Sequence, residues 1–144
     1  MQPFIEPALL QTLRETAKKT ASYAYYPYSK YRVGATILTS EGKIYSGCNV
    51  ENASYGLANC AERTAIFSAV AAGGLNRSTL LRAVVVYTPT QEVATPCGAC
   101  RQVINEFSDG STLIHSFCES SDTLSLILKE LLPHSFGPHN LKEG

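Results

Sequence analysis

Three cysteines and one glutamate stand out as a set: Cys60-Ala61-Glu62, and further along Pro96-Cys97-Gly98-Ala99-Cys100. Cysteine thiolates bind Zn²⁺ at about 2.3 Å. A lone C-x-x-C would equally suit a redox pair or a structural zinc knuckle. The combination is more specific, because all three thiols and the carboxylate fall where helices are expected to begin. A helix N-terminus carries free N–H groups and partial positive charge, which lowers a thiol pKa. Cys97 and Cys100 are one helical turn apart and can face one ion, and Cys60, opening a different helix, would close the triangle. Three protein ligands leave a fourth position for water, which is the layout of a catalytic metal site rather than a structural one. Glu62 is placed to hydrogen-bond that water and to move its proton, a contribution typically of roughly 10²–10⁴ in rate. Three thiolates would also leave the metal with excess negative charge. Arg63, one turn from Cys60, is expected to donate to thiolate sulfur and offset it. The plainer alternatives are a capping box of Asn59 with Glu62 and an ordinary surface arginine at position 63. The capping box leaves the neighbouring cysteines unexplained.

The elements that must position this set are legible in outline. Pro3 to Tyr23 is expected to be a helix, with Ile5, Leu9, Leu10, Leu13, Ala17 and Ala21 at helical spacing. Tyr25 to Ser29, interrupted by Pro27, is a loop. Val33–Thr39 and Ile44–Asn49 are strands joined by the hairpin connection Ser40-Glu41-Gly42-Lys43. After a loop from Glu51, Asn59 is expected to cap a helix from Cys60 to about Ala72, stopped by Gly73-Gly74. Leu80–Thr88, with Val84-Val85-Val86, has the pattern of a buried central strand. Thr95-Pro96 then opens a helix running to about Phe107. Ser111–Cys118 is a further strand, and Thr123–Leu132 a short strand passing into a short helix. This alternation points to an α/β layered domain with a largely parallel sheet.

The 144 residues, 44% hydrophobic and 17% charged, suit one globular domain spanning 1–144. Lys and Arg total 12 and Asp and Glu total 12, so there is no basic footprint for nucleic acid. No apolar run is long enough to span a bilayer and the N-terminal residues lack a signal-peptide pattern, so a cytoplasmic protein is expected. In a reducing compartment five cysteines favour metal ligation or burial over disulfides. Cys48 and Cys118 fall in strands and are expected to be small buried residues. His115, His134 and His139 lack ligand spacing and are not assigned to the metal.

Taken together, these segments resemble the zinc-dependent cytidine deaminases. Cys-Ala-Glu with a later Pro-Cys-x-x-Cys is related to the His-x-Glu signature of base deaminases, with Cys as the first ligand as in the small nucleoside enzymes. The resemblance continues through Tyr28-Ser29-Lys30-Tyr31-Arg32-Val33-Gly34-Ala35, Gly47-Cys48-Asn49-Val50-Glu51-Asn52-Ala53-Ser54-Tyr55, Cys60 to Ala65, Pro96 to Gln102, Leu131-Leu132-Pro133 and Phe136-Gly137-Pro138. It covers nearly the whole chain in the same order. The resemblance implies a three-layer α/β/α domain with a mixed, mostly parallel five-stranded sheet. It also implies one Zn²⁺ per subunit and a homotetramer acting in pyrimidine salvage. It places Asn49 and Glu51 on the ribose 3′-hydroxyl, Ala61 against the substrate, and Tyr31 against the pyrimidine where the family usually has Phe. Phe136 and Tyr55 match residues near a neighbouring subunit's site. The implied reaction is hydrolytic deamination of cytidine, and of 2′-deoxycytidine, with Glu62 relaying protons. Three rivals stand beside it. One is a deaminase of another substrate, disfavoured for polynucleotides by neutral charge and the lack of Trp. A closed zinc module would use a fourth protein ligand, for which no Cys or His has suitable spacing. A C-x-x-C redox protein would leave Cys60-Ala61-Glu62 without a role.

Overall fold

The computed structural model describes residues 4–141. Helix α1 spans Pro7–Ala21 with proline in its first turn, where the missing N–H costs nothing. The expected start at Pro3 lies outside the described residues. Leu13, Ala17 and Ala21, four apart, form its buried stripe. Strands β1 (Gly34–Thr39) and β2 (Ile44–Cys48) form the expected hairpin, closed by Gly42 at φ 84°. Helix α2 (Ala61–Ala71), strand β3 (Leu81–Tyr87), helix α3 (Gly98–Glu106), strands β4 (Leu113–Phe117) and β5 (Thr123–Ile127), and the short helix α4 (Leu128–Leu131) follow in order. The mixed strand-then-helix reading of Thr123–Leu132 therefore holds.

The five strands form one mixed sheet in the order β2-β1-β3-β4-β5. Its alternating faces are visible in β3. Val84 and Val86 face a core with Ile37, Ala65, Ile66, Ile104 and Ile114, while Ala83, Val85 and Tyr87 face α1 together with Leu38 and Phe117. Helix α1 thus covers one face and α2, α3 and α4 the other, giving the three-layer α/β/α arrangement. The expectation of a mostly parallel sheet is corrected: only β3 and β4 pair in parallel, and the other three pairings are antiparallel. The β1–β2 and β4–β5 connections are too short for a parallel crossover. Strand β3 then enters antiparallel on the free side of β1, in the same direction as β2 but not beside it, so β3-α3-β4 is the one crossover that joins adjacent strands in parallel.

This topology decides where the site forms. Strands β2 and β3 both run antiparallel to β1, so they share a direction. Their C-terminal ends lie at the same end of the sheet, and α2 follows β2 there as α3 follows β3. Both helix N-termini consequently open onto a crevice at the carboxyl ends of these strands. Gly47 lets α2 sit close: a Cβ there would lie 2.4 Å from the Ala65 nitrogen and 2.8 Å from the Ala61 carbonyl oxygen. Cys118 is buried as expected, whereas Cys48, near that end of β2, is only half-buried.

Candidate active site

Cys60 and Cys97 are themselves the N-caps of α2 and α3, and Cys100 lies in the first turn of α3. Asn59 does not cap α2, and no capping box with Glu62 forms. Its backbone is used instead in a two-way bridge with Val50, at 2.9 Å in each direction, and its side chain donates to Thr64 Oγ1. Thr95-Pro96 likewise precedes α3 rather than opening it, because Cys97 already supplies the carbonyl that receives the Arg101 N–H at 2.9 Å. These one-residue and two-residue shifts bring the cysteines to the very ends of the helices, where free N–H groups and the helix dipole stabilise thiolates.

The three sulfurs lie within 4.8 Å of one another, and among the described residues they form the only group of side chains so arranged to hold a metal. Cys60 Sγ and Cys97 Sγ are 3.7 Å apart. Tetrahedral zinc with bonds near 2.3 Å requires sulfurs about 3.8 Å apart. Donor chemistry and spacing therefore fit a zinc ion held by three thiolates. Arg63 Nη2 donates to Cys60 Sγ at 3.3 Å. Hydrogen bonds from Cys100 and then Arg63 bring the Cys60 thiol down to about 5. The Cys100 thiol, fully buried, is pushed up by its bond to Cys60 and by burial.

Glu62 is 5% exposed, one position into α2 beyond Ala61. Burial pushes its carboxyl up to about 7, and the nearby Cys60 sulfur adds to the effect. A carboxyl with that affinity can both take and give a proton near neutrality.

The sugar and base end of the crevice is built from loops. The Val50–Asn59 bridge closes the intervening loop and sets Asn49 and Glu51 beside Cys60. Tyr25 fixes the same segment, its N–H donating to the Asn49 carbonyl at 3.0 Å and its carbonyl accepting from Glu51 N–H at 2.8 Å. Asn49 Oδ1 accepts from Val33 N–H and Asn49 Nδ2 donates to the Tyr31 carbonyl, both at 2.8 Å. Glu51 Oε1 accepts the Tyr28 and Ser29 N–H groups at 2.9 and 3.1 Å, and Oε2 accepts the Ser29 hydroxyl. Both side chains thus hold residues 28–33, which turn through Lys30 at φ 60°.

One cavity of about 240 Å³ joins these parts, lined by Tyr31, Asn49, Glu51, Cys60, Ala61 and Glu62. Six of the residues singled out from the sequence therefore meet at one surface. Cys97, exposed, and Cys100, buried, do not line the cavity but lie against Cys60. Tyr55 lies in an adjoining hollow against Tyr28, ring centres 5.9 Å apart, and its side chain is 75% exposed. Phe136 is outside the cavity, on a tail whose carbonyl at that residue accepts from Gln102 and Asn105. Ser29, Thr88 and Thr95, which the sequence does not mark as site residues, also line the cavity. Nor does the sequence mark Arg101, whose side chain donates to the Pro96 carbonyl at 2.7 Å, Thr95 Oγ1 at 2.7 Å and the Leu131 carbonyl at 3.0 Å. Arg101 therefore anchors the loop that presents Cys97. A charged residue one turn beyond a C-x-x-C start was the available signal.

Residues 8–116 match the family model described as the cytidine and deoxycytidylate deaminase zinc-binding region. The chain is 42% identical to a cytidine deaminase of Sporosarcina psychrophila, the match covering 92% of this chain and 94% of that protein. It is 41% identical to a probable cytidine deaminase of Dictyostelium discoideum over 92% of this chain and 86% of the relative. Among solved structures, cytidine deaminase from Burkholderia pseudomallei superposes with a TM-score of 0.81 at 44% identity, covering 88% of this chain and 98% of that one. The Mycobacterium tuberculosis cytidine deaminase gives 0.77 at 36% identity, over 93% and 99%.

Proposed function

The chain belongs to the cytidine and deoxycytidylate deaminase family, and from that premise we propose that its site hydrolyses cytidine, and 2′-deoxycytidine, to the uridine product and ammonia. The observation that carries this reading is the meeting of three thiols and one buried carboxyl at two helix N-termini beside a nucleoside-scale cavity. Cys60, Cys97 and Cys100 would hold one zinc ion per chain. When bound, zinc supplies a Lewis acid that brings the ionisation of water close to neutral pH. Glu62 accepts a proton from the attacking water as the new C4–O bond forms and passes it to N3 of the base. It then takes the remaining proton from the resulting C4–OH and passes it to the amine, which departs as ammonia as the C4–N bond breaks. Arg63 offsets the charge of the thiolates. Ala61 and the Tyr31 ring contact the base, and Asn49 with Glu51 receives the sugar.

The same reading takes residues 1–144 as one catalytic unit acting on free nucleosides rather than polynucleotides, in keeping with a net charge of zero. Among the described residues no helix is long and apolar enough to cross a membrane, and we place the enzyme in the cytoplasm, in pyrimidine salvage. A homotetramer is part of the proposal. Its support is exposed apolar surface: Phe67 and Val70 on one face of α2, and Tyr55, Leu57 and Phe136 in the loops and tail. In the tetramer Tyr55 and Phe136 would pack near a neighbouring subunit's site.

The experiment is an absorbance assay on cytidine, 2′-deoxycytidine, cytosine and a cytosine-containing oligonucleotide, with and without a zinc chelator. Loss of both nucleosides, and protection by chelation, is the expected result. Turnover indifferent to metal removal, or confined to the oligonucleotide, would overturn the reading. Light scattering checks the assembly, and Phe67→Glu should lower the measured mass.

A further inference from the structure

The Ser29 side chain links the sugar wall of the cavity to its aromatic wall. Its hydroxyl donates to Glu51 Oε2 and accepts the Tyr31 N–H at 3.1 Å. It lines the cavity itself. On the other oxygen of Glu51, the backbone N–H groups of Tyr28 and Ser29 already occupy the acceptor positions. A carboxylate offers about four such positions across its two oxygens. Three are taken by residues 28 and 29, so Glu51 is held in one orientation and keeps a single open acceptor position, on Oε2. Only a hydrogen-bond donor can complete it. Asn49, by contrast, spends its carbonyl on Val33 and one N–H on Tyr31. Asn49 keeps one N–H for the sugar, so the charged acceptor for a sugar hydroxyl is Glu51, aimed by Ser29.

We propose that Ser29 is a positioning residue for sugar selectivity, orienting Glu51 so that a nucleoside is admitted on the presence of a donating 3′-hydroxyl. The inference rests on the nucleoside reading of the site. It goes beyond that reading by assigning the selectivity to a side chain outside the sugar-binding pair. A carboxylate oxygen aimed at the sugar forms a charge-assisted hydrogen bond with a donating hydroxyl, and loss of that bond is the penalty for a ligand without one. Without the Ser29 hydroxyl, Oε2 turns to solvent and that penalty shrinks. Tyr31 loses one acceptor but keeps its carbonyl tie to Asn49, so the chemistry at Glu62 is unaffected.

The test compares kcat and KM for cytidine and 3′-deoxycytidine in the wild type, Ser29→Ala, Ser29→Thr, Glu51→Gln and the Ser29→Ala/Glu51→Gln double variant. For Ser29→Ala, KM for cytidine should rise about tenfold with kcat within about twofold, as for loss of uniform binding to a charged acceptor. Discrimination against 3′-deoxycytidine should fall by about the same factor, and Ser29→Thr should restore it. In the Glu51→Gln background, Ser29→Ala should have no further effect on discrimination, because one residue acts through the other. Equal losses on both nucleosides, additive losses in the double variant, or unchanged discrimination would overturn the proposal. Should Ser29→Ala fail to fold, Ser29→Cys decides: it keeps the side-chain volume but replaces the hydroxyl with a weak donor, so reduced discrimination supports the proposal and unchanged discrimination overturns it. A wild type that deaminates neither nucleoside would overturn the function itself, a failure recognisable because it does not depend on position 29.

Discussion

At the thiol end of the cavity, Cys60, Glu62, Cys97 and Cys100 all leave the N-cap or first turn of a helix. At the sugar end, Tyr31, Asn49 and Glu51 lie on irregular backbone outside β1 and β2. Cys100 and Glu62 are buried against the packed core, while Tyr31 is 36% exposed and Tyr28 and Tyr55 are more open still. The thiol end is held by helix packing, which a few substitutions can wreck. The sugar end is held by side-chain hydrogen bonds from Asn49 and Glu51 to residues 28–33, which can be removed singly. Metal and proton chemistry needs positions fixed to a fraction of an ångström. Recognition of a sugar tolerates adjustment, and loops suit it.

The sharpest break of this contrast is Cys100→Ala. It should abolish deamination, leave the purified protein without stoichiometric zinc by metal analysis, and lower the melting temperature, because metal binding is coupled to folding. Full zinc content would remove Cys100 from the ligand set. Next is Gly47→Ala, which touches no substrate but forces a methyl group against α2 backbone atoms. Overpacking of this kind should cost about 2–3 kcal/mol in urea denaturation and also lower kcat, since Cys60 and Glu62 ride on α2. A variant with wild-type stability would show that α2 is free to shift.

On the other side, Asn49→Ala should raise KM for cytidine about tenfold or more through loss of two hydrogen bonds to the 31–33 wall, with kcat and zinc content changed far less. A kcat effect larger than the KM effect would erase the distinction between the two ends. Smallest is Tyr31→Phe. Among the described residues only the Tyr31 backbone is hydrogen-bonded, not its hydroxyl, so kinetics within about threefold of wild type are expected, the face of the ring being what packs on a base.

Legibility from sequence follows the same division. Helical spacing in Leu13, Ala17 and Ala21, and the apolar run of β3, announced elements whose burial has a period. The thiol set was visible because residues on a first helical turn have a fixed geometry that spacing encodes. The ends were harder: Asn59 has the chemistry of an N-cap, but its backbone is drawn into pairing with Val50, and the cap passes to Cys60. The parallel character of the sheet was over-read because alternating helices and strands do not say on which side of β1 the third strand enters. Ser29 and Arg101 escaped assignment for a common reason. Each has a partner, Glu51 for Ser29 and the Leu131 carbonyl for Arg101, that is brought near only by long-range folding.

The most direct test of the central claim is Glu62→Gln, measured for zinc content and cytidine turnover on the same preparation. Gln preserves shape and removes the proton-accepting carboxylate. Zinc should remain at one ion per chain and the fold intact, while kcat falls by roughly 10²–10⁴ or more. Undiminished turnover with zinc in place would contradict the assignment of proton transfer to Glu62.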